Sequence, residues 1–161
     1  MRKKIIITGG LGYIGTELCK LYSGFSWKYE VVAIDNRFIS ERVNELKRRK
    51  IKFVQADILD LELLDTQFDI IQSTGVLHHM AKPFDGWKIL TKLLKPKGLM
   101  NIGLYSKLGR KDSIEARAII QKHGLDFKRG NLLKFRKQII DGKFPQLGHL
   151  QHSRSFFDES S

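Results

Sequence analysis

The chain is poor in cysteine: one residue, Cys19, in 161. A lone thiol closes no internal disulfide, so the sequence fits a reducing compartment, and Cys19 reads as a core residue of the first helix. Long apolar runs are missing as well. No stretch approaches the roughly 18 apolar residues that a membrane span needs. The start, Met1-Arg2-Lys3-Lys4 before Ile5-Ile6-Ile7, mimics a signal peptide, but the apolar run breaks at Thr8-Gly9-Gly10. The expected location is therefore the cytoplasm, with no membrane partner. Beyond an alternation of strand and helix patterns there is no internal repeat, and there is no low-complexity segment. The chain has two histidines spaced as His149-x-x-His152 but no third ligand beside them, so no metal is expected.

Acids are outnumbered. Lys and Arg total 29 against 17 Asp and Glu, a formal charge of +12. Such an excess raises the question of nucleic acid. The positives are scattered, however, and the densest cluster, Lys47-Arg48-Arg49-Lys50 with Lys52, falls at an expected helix C-terminus, where cations oppose the dipole. No aromatic residues interleave it. It reads as a solvated or phosphate-attracting surface rather than a nucleic-acid site. Hydrophobic residues reach 42%, enough for a packed core.

Apolar runs at Lys4–Thr8, Glu30–Asp35, Ile51–Ala56, Phe68–Ser73 and Leu99–Tyr105 predict five strands. Helices are expected from Tyr13 to Ser23, from an N-cap at Ser40 to Lys50, and from Pro83, with a short helix or turn at Leu59–Leu64. Lys95-Pro96-Lys97-Gly98 reads as a turn. Trp87, Leu90, Leu93 and Leu94 fall at helical spacing, and Phe84 with Trp87 reads as core. Two amphipathic helices, 112–123 and 131–141, are expected near the end, followed by a frayed tail from Lys143. Strands alternating with helices predict an α/β fold: one three-layer domain over 1–161, with a parallel five-stranded sheet of order 3-2-1-4-5. Runs such as Ile5–Ile7 suit strands covered on both faces. Ligands of such sheets bind outside the carboxyl ends of the strands, at the switch point between strands one and four.

One loop dominates. Thr8-Gly9-Gly10-Leu11-Gly12-Tyr13-Ile14-Gly15 follows a strand and opens a helix. Glycines there allow a tight turn, a close backbone approach to a pyrophosphate, and close helix–sheet packing. Asp35 ends the second strand, where its carboxylate suits adenosine ribose hydroxyls.

This loop, with Val32-Ala33-Ile34-Asp35-Asn36 and Gln55-Ala56-Asp57-Ile58, resembles the extended short-chain dehydrogenase/reductase family of NAD-dependent epimerases and dehydratases. The resemblance covers residues 3–65. It implies that the glycine loop holds an NAD(P) pyrophosphate, that Asp35 takes the ribose, and that Asp57 and Ile58 lie against the adenine. Asp35 favours NAD; Arg37 leaves NADP open. The same family uses a Tyr-x-x-x-Lys pair for redox chemistry. Here Glu17, Ser26, Ala33 and Gly109 stand four residues after the four tyrosines, so that pair is absent.

From Phe68 the pattern changes. Phe68-Asp69-Ile70-Ile71-Gln72-Ser73-Thr74-Gly75-Val76-Leu77-His78-His79-Met80, and then Pro83 to Met100, resemble class I S-adenosylmethionine-dependent methyltransferases. That resemblance covers residues 68–157. In that family an acid follows the first strand and helps hold the methionine end of the cofactor; Thr8 stands in its place here. The sequence therefore reads as a Rossmann-like hybrid: an NAD-binding half over 1–66, a methyltransferase-like half over 67–142, and a tail over 143–161. The expected cofactor is NAD, with NADP or S-adenosylmethionine as alternatives, and a non-catalytic module stands as a further alternative. His78, His79 and Tyr105 are candidate substrate contacts. An exposed face on strand five, or the C-terminal helices, would serve a homo-oligomer.

Overall fold

The period-two alternation of the first strands sets the layers. In β1 (Lys3–Thr8) Ile5 and Ile7 point to one face and Ile6 to the other; in β2 (Tyr29–Asp35) Val31 and Ala33 share the first face, Val32 and Ile34 the second. Both faces are buried, so both are apolar. A computed structural model describes residues 1–106, 108–109, 111–124 and 129–152.

Helices α1 (Tyr13–Ser23) and α2 (Ser40–Arg48) cover the first face, packing Leu11, Cys19, Val43 and Leu46 against Ile5, Ile7 and Ala33. The second face is covered by a 3₁₀ segment, Ile58–Leu63, and by α3 (Pro83–Lys92), whose Ile89 and Leu90 meet Ile6, Ile71 and Phe68. With β3 (Lys52–Gln55), β4 (Phe68–Thr74) and β5 (Leu94–Gly103), the sheet has the order β3-β2-β1-β4-β5, every neighbouring pair parallel. This is the expected α/β, Rossmann-like arrangement and strand order.

Three local expectations are corrected. Ser40 is not the N-cap of α2: Ile39 holds that place without a side-chain cap, and Ser40 is the first helical residue. Lys95–Gly98 is not a turn between elements. The strand already begins at Leu94, paired with Phe68, and the register then shifts before Ile70 meets Leu99. Pro96 is tolerated because β5 is an edge strand, with no further ladder among the described residues, and Lys97, at φ 64, falls within the irregularity. Phe84 and Trp87 are not core. Gly86, Ile89, Leu90 and Leu93 form the buried stripe of this region, while Phe84 and Trp87 are 68% and 36% exposed.

The chain divides into two compact units, Met1–Leu104 and a second from Tyr105 onward. The second contains α4 (Lys111–Lys122), α5 (Arg129–Ile140) and a 3₁₀ segment, Pro145–His152. Its own core joins Ala116, Ile120, Phe135, Ile139, Leu147 and Leu150. The expectation of a frayed tail from Lys143 is thus corrected as far as His152, since Leu147 and Leu150 are buried; the part beyond lies outside the described residues.

Candidate functional site

The site begins where β1 runs out. Thr8 is its last residue and is 2% exposed. Gly9 then turns at φ +63, a left-handed conformation that side chains resist. The Gly12 amide donates back to the Gly9 carbonyl at 2.8 Å and the Gly10 amide to Ile34 at 2.9 Å, which closes the loop against β2. Gly15 lies so near this turn that a Cβ there would stand 2.0 Å from the Gly9 oxygen. The loop therefore admits no side chain at either position.

Gly12 caps α1 without a side-chain hydrogen bond, and no acid occupies the first turn. The first amides of a helix have no partners within it and carry its positive end. Tyr13 and Ile14, in that turn, are exposed. This end of α1 is suited to an anion or to an electron-rich group.

Asp35 closes the site from β2. Its carboxylate accepts the Leu11 amide at 3.0 Å through Oδ2, and through Oδ1 the Arg37 amide at 3.0 Å and the Arg37 Nε at 3.5 Å. At 4% exposure it is a buried acid with its charge matched by these donors. Asn36 supplies a carbonyl to the Gln55 side-chain amide at 3.3 Å, fastening the end of β2 to β3. Asp57 accepts the Leu59 amide at 2.9 Å and so caps the 3₁₀ segment, with Ile58 buried behind it.

The structure thus brings Thr8–Gly15, Asp35–Arg37 and Asp57–Ile58 to the carboxyl ends of β1, β2 and β3. His78 and His79 follow β4, their Nε2 atoms 3.0 Å apart, so that one imidazole donates to the other. Tyr105 belongs to the second unit, where it is exposed. The side chain of His149 is not among those described; among the described residues no group of three His, Cys, Asp or Glu could hold a metal ion.

Sequence reasoning missed three contributors. Ser73, fully buried at the end of β4, receives the Thr8 hydroxyl at 2.9 Å and ties β1 to β4 at the switch point. Val76 lies over Gly9, where a Cβ would meet it at 2.6 Å. Arg42 of α2 donates a guanidinium N–H to the Leu11 carbonyl, so the same loop residue is gripped by Asp35 at its amide and by Arg42 at its oxygen. Ser73 could have been found from its strand-end position; an arginine on a helix face carries no such signal.

Comparisons with known proteins point in two directions. The chain is 38% identical over 81 residues to UDP-glucose 4-epimerase of Bacillus subtilis, which takes in 46% of this chain and 23% of that protein. The human UDP-glucose 4-epimerase is 30% identical over 131 residues, 63% of this chain and 36% of its own length. The chain thus spans roughly a quarter to a third of these relatives, and the expectation of NAD draws on such partial likenesses alone. Among solved structures, PKMT2 from Rickettsia typhi, in complex with AdoHcy, superposes with a TM-score of 0.71 at 21% identity, covering 98% of this chain and 33% of that one. At that identity the likeness is one of fold. The methyltransferase domain family matches residues 9–102, from the glycine loop to β5. This match takes in more than half of the sequence, and the chain belongs to the methyltransferase domain family.

Proposed function

We propose that the chain binds S-adenosylmethionine in the crevice at the carboxyl ends of β1, β2 and β4, with the adenosine ribose on Asp35. One observation carries this reading. A buried carboxylate stands at the end of β2, tied to the amide of the glycine loop. An ionised carboxylate offers about four acceptor sites, and the three donors around Asp35 leave about one of them for a ribose hydroxyl. Membership of the methyltransferase domain family favours this cofactor, and the Rickettsia protein of similar fold holds AdoHcy.

The adenosine end of the cofactor fits the residues present. The methionine end fits less well: the 8–15 loop contains no acid for the cofactor's ammonium, and the Thr8 hydroxyl is engaged with Ser73. No methyl-transfer step is therefore derived.

A second reading is NAD. The uncapped end of α1, free of acids, favours a pyrophosphate, and the likeness to the Bacillus epimerase agrees with it. Arg37, against Asp35, would meet the 2′-phosphate of NADP. Neither dinucleotide finds a Tyr-x-x-x-Lys pair for redox work.

Calorimetric titration with S-adenosylmethionine, S-adenosylhomocysteine, NAD and NADP separates the readings. Binding of the first two, lost in Asp35→Ala, is the expected result. Binding of NAD alone would establish the second reading, and binding of none would leave a non-catalytic module.

A further inference from the structure

We propose that the end of the sheet opposite the crevice docks on an anionic lipid surface. All five strands are parallel, so their starts share one end, and α1, α2 and α3 return to it. Two independent features meet there.

The first is an exposed apolar turn. The last turn of α1 carries Leu21, and the connection to β2 carries Phe25 and Trp27; these are 57%, 47% and 75% exposed. The turn is built rather than loose. The Gly24 amide bonds to Leu21 at 3.2 Å, Phe25 to Tyr22 at 3.1 Å, and Lys28 to Phe25 at 2.8 Å. Large apolar side chains grouped on a fixed turn mark a contact surface.

The second is charge. The Lys3 amide bonds to the Lys28 carbonyl at 2.9 Å and the Arg2 guanidinium to Ser26 at 3.4 Å, so Arg2, Lys3 and Lys28 flank the apolar turn. Arg48, Lys50 and Lys52, where α2 passes into β3, lie at the same end of the sheet and are exposed. Glu45 and Asp69 at this end are already matched, by Lys20 and Arg49 and by Lys95. Glu30 and Asp65 stand against the remaining cations, which outnumber them.

Apolar insertion and anionic attraction together supply the two kinds of signal that stable attachment to a membrane surface takes. The Trp27 indole suits the headgroup region. Phe25 and Trp27 could also stack on bases, but the exposed aliphatic Leu21 beside them favours an apolar layer over a nucleic acid. No span is involved: among the described residues no helix is long and apolar enough to cross a membrane. Docked in this way, the crevice with Asp35 would face away from the lipid.

The test is co-sedimentation of the whole chain with vesicles of phosphatidylcholine alone and of phosphatidylcholine mixed with phosphatidylserine. Trp27 emission is followed in a Trp87→Phe background. Binding to the mixed vesicles only, weakened by salt and accompanied by a blue shift, is expected. Phe25→Ala with Trp27→Ala should weaken it by about tenfold or more. Arg48→Gln and Lys50→Gln should each weaken it about fivefold, with circular dichroism unchanged. Full binding by the double alanine variant would overturn the proposal. So would equal binding to neutral vesicles, or binding to an oligonucleotide without binding to either vesicle.

Discussion

The Asp35 carboxylate lies 3.0 Å from the Leu11 amide, joining the end of the second strand to the turn after the first. One side chain thus shapes the glycine loop and presents the acceptor proposed for a ribose. Asp35→Ala leaves the buried Leu11 amide without its acceptor and should cost about 2 kcal/mol of stability. Asp35→Asn keeps an acceptor but loses the charge. Its unfolding midpoint should stay nearer to the parent's while cofactor affinity falls about tenfold, measured by denaturant titration and calorimetry side by side.

Gly15→Ala tests the closeness of α1 to the loop. A methyl placed 2.0 Å from the Gly9 oxygen cannot be absorbed by a flexible side chain, because the obstacle is backbone. A loss of about 3 kcal/mol is expected. Gly148→Ala, where no described atom beyond the chain neighbours lies within 4 Å of the new Cβ, serves as the control and should be near neutral.

The Gln72 side chain bridges two elements. It donates to the Tyr22 hydroxyl at 2.9 Å and accepts from Asn101 at 2.9 Å, linking α1 through β4 to the edge strand. Gln72→Leu removes both bonds in an 8% exposed position and should cost about 2 kcal/mol. Tyr22→Phe combined with it should be less than additive, as shown by a double-mutant cycle.

Asp69 gives a pH dependence with a definite sign. The Lys95 ammonium 2.8 Å away, and then the Lys4 amide, hold its carboxyl below the usual carboxylate range. The folded state therefore binds this proton less readily than the unfolded chain. The stabilisation is fully present above the unfolded value, about 3.9, and is lost as pH falls through the lower folded one. Asp69→Asn should therefore lower stability at neutral pH, where the ionised carboxylate stabilises the fold, and change it little in acid, so that this limb of the stability curve flattens.

Cys19 should be inert. Burial pushes its thiol up to about 12, so thiolate is scarce at neutral pH. Labelling by a disulfide reagent should be fast in denaturant and slow in buffer, where its rate should report opening of the α1 layer.

Much of the fold was legible because central parallel strands write themselves as apolar runs. Ile5–Ile7 and Val31–Ile34 are short runs rich in β-branched residues, a length and composition that favour strands, and the glycine loop between them fixes the first crossover. The site was legible for the same reason: Thr8–Gly15, Asp35 and Asp57 are strand-end residues, and strand ends define the crevice. What failed was local. Pro96 and Gly98 signal a turn in isolation, yet an edge strand accepts them. Phe84 and Trp87 look like core by residue type, but Gly86, Ile89 and Leu90 had already claimed the inward face of α3. Arg42 reaches the Leu11 carbonyl only through the packing of α2, which no spacing announces.

The irregular start of β5 also governs how the sheet ends. Pro96 has no N–H to offer, and Lys97 at φ 64 breaks the pleat, so another strand cannot zip along the whole margin. Only the stretch from Leu99 to Gly103, with Leu99 67% exposed, keeps a regular outline. Extended pairing of β5 with a like edge of another chain is thereby disfavoured from its first residues.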